Sequence, residues 1–388
     1  MTVFSRVTKT VAIIAAVLVL VSCSSVPRPP LPSPVPSSPG PAVDAGRPDD
    51  NAALPPVRMQ GKSRWVPVRW SELPGFEGDT LFEAWNAWLK SCERPRPAFA
   101  NLCGEVRRLS IASGEEQRAW MMSRLQPYRV ESPQGQADGL LTSYYEPVLR
   151  ASRQSGNGYT VPLYQPPAGL ASRKPWFTRQ EIDTLPEAQA ALRGREIAWL
   201  ADPIDAMSLH IQGSGRLAIL EPNGAQRTVR VAFAGSNEQP FRSITQWLAE
   251  QGQGRMVAPW TESTKVWVAQ NPQRVAQLLW SNPRYIFFRE EALSEQDASY
   301  GPRGAEGVAL TPGRSIAVDR ESIPYGTPVW LASRSATLDL QKLVMAQDTG
   351  SAIVGAVRAD YFAGTGPEAG LLASRVNQPL RLWALWPK

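Results

Sequence analysis

The sequence of 388 residues predicts a mostly β fold, closer to a barrel than to alternating βαβ units. Short segments rich in apolar or β-branched residues recur between glycines and prolines, a pattern typical of strands. Helical periodicity is confined to a few segments, and no internal repeat is visible. The regular alternation of a parallel α/β sheet is therefore not indicated. The segments predicted as strands include 315–318, 327–331, 343–346 and 381–385.

Four helices are predicted from periodicity and end signals. The first begins with the capping-box spacing of Thr80 and Glu83 and carries an apolar face. The second covers about 115–125. The third opens at Ser243 with Gln246 three residues later, and the fourth opens at the Asn271-Pro272 pair, an N-cap followed by proline. The apolar residues that define the first face are Leu81, Trp85, Trp88 and Leu89.

The N-terminus has the layout of an export signal. Two basic residues precede the apolar run 11–21, which is shorter than the roughly 20 residues needed to span a bilayer and is typical of a signal-peptide core. Cys23 follows Ser22 at the cleavage point, as in a bacterial lipobox. We expect a lipoprotein signal peptide over 1–22, lipidation of Cys23 and, because Ser24 follows, sorting to the outer membrane. An ordinary secretory signal with a chance cysteine is the alternative.

Residues 23–60 are predicted to form a lipid anchor and a disordered tether. This stretch is dense in proline, serine, alanine and glycine and nearly lacks large apolar residues, so it cannot bury a core. In an extended polyproline form it could reach on the order of 100 Å. In the exported remainder, Cys92 and Cys103 could form one disulfide; two free thiols are the alternative.

Composition excludes several classes of site. The formal charge of +6 is mild for the length, and no basic run interleaved with aromatics suggests nucleic acid. The single histidine, His210, could serve a Ser-His-Asp triad but could not build a histidine-rich zinc site, and no CxxC pair replaces it. We therefore expect no metal and no cofactor, and we expect carboxylates to carry any proton transfer.

Three parts of the chain carry distinctive motifs. The first surrounds a Tyr-Tyr-Glu-Pro sequence, the second contains His-x-Gln-Gly-Ser-Gly-Arg, and the third brings three aspartates into the C-terminal strands. In sequence order these parts are 139–148, 209–216, and the set formed by 312–319, 346–350 and 360–364.

These motifs resemble the lytic murein transglycosylase A family. The C-terminal part is similar to its three-aspartate (3D) domain, which is named for acids at the positions of Asp319, Asp348 and Asp360. The resemblance extends from about Gly139 to the C-terminus, and more weakly over the preceding 60 residues. Further matching segments are 233–237, 242–244, 282–288 and 364–370.

The resemblance implies a fold and an activity. The catalytic domain would be a double-psi β-barrel formed by 61–150 together with 293–388. A smaller β-domain, 151–292, would be inserted into it and would form the other wall of a glycan groove. The implied activity is cleavage of the β-1,4 bond between N-acetylmuramic acid and N-acetylglucosamine in peptidoglycan, leaving a 1,6-anhydromuramoyl end.

The resemblance also implies roles for the three aspartates. Asp360 would be the single acid and then base, because attack by the muramyl C6 hydroxyl within the same sugar needs no activated water. Its pKa must then lie well above the ordinary value of about 4. Asp348 and Asp319 would support it as like-charged neighbours; their alternative role is to brace barrel loops.

Other side chains are candidates for substrate contact or for structure. One of the tyrosines could stack on sugar faces, amide and hydroxyl groups could bond to sugar substituents, and a glycine beside Asp348 could let the backbone approach. We expect a structural role for His210 in a strand-like run and a surface role for Glu146. The candidates for substrate contact are Tyr144, Tyr145, Gln212, Ser214 and Gly350.

Two alternatives to the transglycosylase stay open. One is a glycoside hydrolase on the same fold that uses water, and the other is a non-catalytic lipoprotein that binds the cell wall. In each case the expected partners are peptidoglycan strands and the outer membrane, reached through the lipid anchor. Cell-wall synthases or scaffold proteins are further partners that the resemblance implies, and nucleic acid is not expected.

Overall fold

The computed structural model describes residues 53–254, 259–336 and 338–388. The predicted signal peptide, Cys23 and most of the predicted tether lie outside the described residues. Within the described ranges, no helix is both long and apolar enough to cross a membrane.

The described chain is mostly β with short helices, which confirms the predicted fold class. The strands are β1 Arg58–Gln60, β2 Ser63–Pro67, β3 Leu125–Glu131, β4 Gly139–Glu146, β5 Val148–Ser152, β6 Val161–Tyr164, β7 Glu196–Leu200, β8 Ser214–Leu220, β9 Gln226–Ser236, β10 Ile286–Ala292, β11 Ser315–Val318, β12 Pro328–Arg334, β13 Asp339–Asp348, β14 Arg358–Thr365 and β15 Asn377–Pro387. The α-helices are α1 Phe82–Ser91, α2 Cys103–Arg108, α3 Gly114–Arg124, α4 Arg179–Thr184, α5 Pro186–Leu192, α6 Pro203–Gln212, α7 Ile244–Leu248, α8 Trp260–Gln270, α9 Val275–Trp280, α10 Glu295–Ala298 and α11 Pro367–Arg375.

Six strands of the first sheet close into a barrel. The nine-stranded sheet has the order β1-β2-β3-β15-β12-β13-β11-β14-β4, and β4 pairs again with β15. Pairing is parallel between β11 and β13 and between β14 and β4, and antiparallel between β11 and β14. Closure removes free edges from these six strands. Inward-facing aliphatic residues such as Val318, Val344 and Leu382 are fully buried and fill the interior.

Helices α1 to α3 cover one outer face of the barrel. Trp85 and Trp88 of α1 pack with Trp330, Leu343 and other apolar residues of the barrel strands, and all four are buried. A disulfide joins Cys92, at the end of α1, to Cys103, at the start of α2. The outward-facing side chains of β12 and β13 are therefore as buried as the inward-facing ones, which explains their nearly continuous apolar sequence.

The second sheet contains six strands in the order β10-β9-β8-β5-β7-β6. Its core is formed by residues such as Leu163, Leu217 and Phe288. The chain passes from the first sheet to the second at Pro147, between β4 and β5, and leaves the second sheet after Ala292. The part of the chain that forms the first sheet is therefore interrupted by the part that forms the second. The first strand of the second sheet begins at Val148, slightly before the predicted position 151.

The predicted helices form, with differences at two of their starts. The 3-10 turn Pro272–Arg274 precedes α9, and the Asn271 side chain does not cap it. Helix α3 begins at a capping box between Ser113 and Glu116, and the Ser243 side chain caps α7. Thr80 and Glu83 do not form the predicted capping box: α1 starts after Leu81 without a side-chain cap. The carboxylate of Glu83 instead accepts a hydrogen bond from Arg314 Nε at 3.2 Å, because the buried guanidinium needs acceptors more than the exposed helix end does.

The strand-like assignment around His210 is wrong. His210 lies in α6, which Asp202 caps through a 2.7 Å hydrogen bond to Ile204 N and which ends at Gly213 with φ of 79°. The buried ring accepts a hydrogen bond from Ile286 N at its Nδ1, 3.0 Å away. Burial holds the pKa of His210 well below its ordinary value, so the ring stays neutral and joins α6 to β10.

The surface role expected for Glu146 is also wrong. Its side chain is fully buried at the end of β4, where Arg216 Nε of β8 lies 2.8 Å from Oε2 and Arg230 Nε of β9 lies 2.6 Å from Oε1. The Thr365 hydroxyl donates a third hydrogen bond, 2.7 Å long. Charged side chains are rarely buried unless they are paired. The Glu146 carboxylate therefore joins the two sheets at the point where the chain passes between them.

Candidate active site

A cleft of about 590 Å³ lies between the two sheets. The barrel contributes residues of β11, β13 and β14 and of the loop 302–307. The inserted sheet contributes the end of α6 with residues of β8, β9 and β10. Two of the three predicted aspartates, Asp348 and Asp360, line this cleft.

The two aspartates are neighbours because of strand register. Ala317 of β11 pairs with Asp348 on the parallel strand β13 and with Asp360 on the antiparallel strand β14. Both carboxylates therefore flank one small residue on the central strand. Register on two sides of one strand, rather than spacing in the sequence, brings residues twelve positions apart to the same point.

The Asp360 carboxyl group is held by a chain of hydrogen bonds. Arg358 Nη2 donates to Thr142 Oγ1 at 2.8 Å, and the Thr142 hydroxyl donates to Asp360 Oδ1. The Thr142 hydroxyl thus accepts from Arg358 with an oxygen lone pair and donates its proton to Asp360. Oδ1 is then an acceptor, and the proton of a neutral Asp360 is carried by Oδ2.

Burial raises the pKa of Asp360 to about 6. The hydrogen bond from Thr142 and the positive charge of Arg358 oppose this shift, and the charge of Asp348 adds to it. A carboxyl group with this pKa exists in both protonation states near neutral pH. A group that acts first as a general acid and then as a general base needs both states.

Asp348 is half-buried, and its two oxygens have different partners. The Tyr144 hydroxyl donates to Oδ2 at 2.8 Å, and Ala305 N of the loop 302–307 donates to Oδ1 at 2.9 Å. Burial raises the pKa of Asp348, and these hydrogen bonds counteract the rise. They also fix the carboxylate beside Asp360, where it supplies negative charge.

Asp319 does not join the other two aspartates in the cleft lining. It is buried, with Oδ2 accepting from Gly355 N and Oδ1 from Glu321 N, both at 3.0 Å. Lys62 Nζ lies 3.5 Å away. Burial acts to raise the pKa of Asp319, but these hydrogen bonds and the lysine charge together lower it. Its position fits the alternative role, that of bracing the loops after β11 and before β14.

The candidates for substrate contact divide between two neighbouring cavities. Gln212, Ser214 and Gly350 line the cleft together with Tyr144. Tyr145 points to the other side of β4, into an adjoining cavity of about 1000 Å³ that shares Gln212 with the cleft. Gln212 Oε1 accepts a 3.0 Å hydrogen bond from Tyr145 N, so this amide also fixes β4 against α6.

Three residues of the cleft region were not among the predictions. Thr142 and Arg358 position Asp360, and Phe233 of β9 presents an apolar ring that is 49% exposed. The sequence did contain a signal for Thr142. It lies two residues before Tyr144, and residues two apart on a strand share a face. Within the described ranges, no group of three or more histidine, cysteine, aspartate or glutamate residues could hold a metal ion.

Known proteins share both parts of this architecture. The family profile described as the MltA specific insert domain matches residues 140–289, and the 3D domain matches residues 314–386. A lytic transglycosylase of Burkholderia pseudomallei, LtgG, has a solved structure that is 38% identical; the match covers 87% of this chain and 99% of that one, with a TM-score of 0.57. The chain belongs to the lytic murein transglycosylase A family.

Other members of the family agree in fold. MltA from Neisseria gonorrhoeae superimposes with a TM-score of 0.68 at 27% identity, over 87% of this chain and 94% of that one. The membrane-bound lytic murein transglycosylase A of Vibrio cholerae is 30% identical over 261 residues, which are 64% of this chain and 66% of that protein. A structure of Escherichia coli MltA with bound chitohexaose, 22% identical, has a TM-score of 0.65 over 85% of this chain and 93% of that one. The 3D match contains Asp319, Asp348 and Asp360, and the insert match begins within β4.

Proposed function

We propose that this chain is a peptidoglycan lytic transglycosylase, which cleaves the β-1,4 bond between N-acetylmuramic acid and N-acetylglucosamine and leaves a 1,6-anhydromuramoyl end. The observation that carries the proposal is the state of Asp360, a carboxyl group in the cleft between two sheets whose pKa is raised to about 6. At pH 7 about one molecule in ten then holds the proton that a leaving sugar oxygen needs.

The reaction follows from the single acid. Asp360 Oδ2 gives its proton to the glycosidic oxygen as the bond from that oxygen to the muramyl C1 breaks. The positive charge that develops at C1 is stabilised by the nearby Asp348 carboxylate. The C6 hydroxyl of the same sugar then attacks C1, forming the bond from O6 to C1, and its proton returns to Asp360. The groups balance, and the enzyme ends in its starting state.

The partners of Asp348 favour this route over hydrolysis. An inverting hydrolase needs a second carboxylate as a general base for water. Asp348 Oδ2 accepts from Tyr144 and Oδ1 accepts from Ala305 N, so both oxygens already have a hydrogen-bond donor. Attack within one sugar needs no such base, because the C6 hydroxyl has a high effective concentration at C1.

Mass spectrometry of the products from purified peptidoglycan tests the proposal. We expect muropeptides whose muramyl end is lighter by one water than the reducing form. Reducing ends alone would support the water-using hydrolase, and intact strands that stay bound to the protein would support the non-catalytic wall-binding protein.

We also propose separate roles for the barrel and for the inserted sheet. The barrel part, 61–150 with 293–388, would hold the acid, and the inserted part, 151–292, would form the opposite wall of the groove. Glycan contacts from Tyr144, Gln212, Ser214, Gly350 and Phe233 are supported by their common position in the cleft lining. The chitohexaose bound to the Escherichia coli neighbour is consistent with a saccharide in this groove.

Relatives of this chain are named as membrane-bound. We propose attachment to the periplasmic face of the outer membrane through a lipid on Cys23. The substitution Cys23→Ala should release an active protein from the membrane fraction, because none of the residues that line the cleft is near Cys23 in the sequence. Membrane fractionation checks this, with Ser24→Ala as the control. A Cys23→Ala protein that still sediments with the outer membrane would contradict the proposal.

A further inference from the structure

The cleft carries more positive than negative charge. Its lining contains four arginines, Arg94, Arg284, Arg289 and Arg303, against two acids, Asp348 and Asp360. A glycan of neutral sugars offers no charge to balance this excess. The imbalance is therefore a feature of the cleft that the proposed bond cleavage does not explain.

Two of these arginines already have acceptors in the inserted part of the chain. Arg289 Nη2 lies 2.7 Å from Glu291 Oε1, and Arg289 Nη1 donates to Phe233 O. Arg284 Nη1 donates to Gln239 O at 3.1 Å. These contacts hold β9, β10 and the segment after β9 together, so both guanidinium groups have a structural use.

The other two arginines lie together at the loop 302–307. Arg303 Nη1 donates to Gly307 O, 3.3 Å away. A Cβ atom at Gly307 would lie 2.7 Å from Arg94 Nη1. Both side chains are exposed, and neither forms an ion pair with any carboxylate of the described residues. Both guanidinium groups therefore lie beside Gly307 in the lining of the cleft.

This arginine pair is close to the reacting groups. Ala305, in the middle of the same loop, donates its N–H to Asp348 Oδ1 at 2.9 Å. The loop also packs tightly on the end of β13, since a Cβ at Gly304 would lie 2.4 Å from Gln347 O. A ligand group held by Arg94 and Arg303 would therefore be fixed relative to Asp348 and Asp360.

We infer that Arg94 and Arg303 form a carboxylate-binding site that recognises the acid carried by the muramyl sugar of the substrate. This inference rests on the proposed function. Paired guanidinium groups present planar forks that match carboxylate oxygens. Two sources supply that chemistry in peptidoglycan: the lactyl carboxylate of a peptide-free strand and the carboxylates of a peptide stem. The site would make these arginines determinants of specificity, separating acidic wall glycan from neutral chitin-like glycan.

Binding to an inactive protein tests the inference directly. In an Asp360→Asn background, dissociation constants are measured for three probes: peptide-bearing glycan, glycan stripped of its peptides, and chitohexaose, which has no carboxylate. We expect tighter binding of one or both acidic probes than of chitohexaose, with a preference that falls as salt rises. The acidic probe that shows the preference identifies the source of the carboxylate.

The substitutions Arg94→Gln and Arg303→Gln, made together, should raise the dissociation constant for the preferred acidic probe by about tenfold, the loss expected for charge-assisted hydrogen bonds. Affinity for chitohexaose should change by less than about twofold, since it has no charged group to lose. Arg94→Lys with Arg303→Lys keeps the charge and should restore part of the preference. Arg108→Gln, an exposed arginine outside the cleft lining, is the matched control and should bind like the parent.

Two results would overturn the inference without touching the proposed function. One is equal affinity of the parent for all three probes. The other is an equal loss for acidic glycan and chitohexaose in the double variant, which would indicate a general role in shaping the cleft. Product analysis with the unsubstituted protein decides the proposed function separately, because the anhydro end forms whether or not these arginines select the strand.

Discussion

Thr142 and Asp360 face each other in register across the parallel strands β4 and β14, and the Thr142 hydroxyl donates a hydrogen bond to Asp360 Oδ1. This contact links the first motif of the sequence to the last, 218 residues apart. It fixes one oxygen of the acid as an acceptor and leaves the other to carry the proton. The pairing of β4 with β14 therefore fixes the orientation of the carboxyl group as well as its position.

Asp360→Asn should abolish nearly all lytic activity while leaving the fold and glycan binding intact. The amide can neither give nor take the proton, and loss of a general acid–base group costs about 10²–10⁴ in rate. Clearing of purified cell walls measures activity, and a thermal melt with a binding assay checks that the protein is otherwise unchanged. If the variant kept more than about a tenth of the parental rate, another residue would have to be the acid, with Asp348 the next candidate.

Asp348→Asn should lower the rate by less than Asp360→Asn, by about 10²–10³ as for loss of one electrostatic contribution. It should also move the pH profile. The rate falls as Asp360 loses its proton, and the charge of Asp348 helps to raise the Asp360 pKa. Removing that charge lowers the Asp360 pKa, so the falling limb moves to lower pH. A profile that superimposes on the parent at full rate would make Asp348 purely structural.

Thr142→Val should move the same limb in the opposite direction. The hydrogen bond from Thr142 stabilises the charged form of Asp360 and so lowers its pKa. Without it the pKa rises, and the acid stays protonated to higher pH. The maximal rate should fall by up to about tenfold, because Asp360 loses one hydrogen bond that orients it. Thr142→Ser keeps the hydroxyl and is the control; a shift of equal size in that variant would mean that the methyl group, not the hydrogen bond, matters.

Glu146→Gln should destabilise the protein strongly, because it leaves Arg216 and Arg230 buried without a countercharge. Breaking a buried ion pair from one side typically costs about 3–5 kcal/mol. Asp339→Asn provides a matched control: Arg334 and Asp339 form an ion pair whose side chains are 74% and 53% exposed, and such pairs contribute about 0–1 kcal/mol. Urea unfolding of both variants measures the difference. Equal and small losses of unfolding free energy in the two variants would show that the ion pairs of Glu146 do not hold the two sheets together.

Local chemistry determined much of this protein before any tertiary contact was known. Short apolar or β-branched segments bounded by glycine and proline indicated a mostly β fold, and the resemblance of the three C-terminal acids to the 3D domain implied the barrel. The start of α7 was predicted from the Ser243 cap, and α3 starts at a similar serine cap, Ser113; such caps depend only on residues within one turn. Local sequence signals also mark the start and the end of α6, namely Asp202-Pro203 and Gly213. The apolar alternation around His210 nevertheless favoured a strand.

Only the tertiary structure decided which acids meet. Local pattern does not distinguish Asp319, Asp348 and Asp360, since each lies within or just after an apolar strand; only the family resemblance singled out Asp360. The two-sided register at Ala317 brings Asp348 and Asp360 together, and the hydrogen bonds from Gly355 and Glu321 turn Asp319 toward the loops. The burial of Glu146 likewise required Arg216 and Arg230, which arrive 70 and 84 residues later. Burial and charge pairing depend on contacts between distant strands, and no local pattern encodes them.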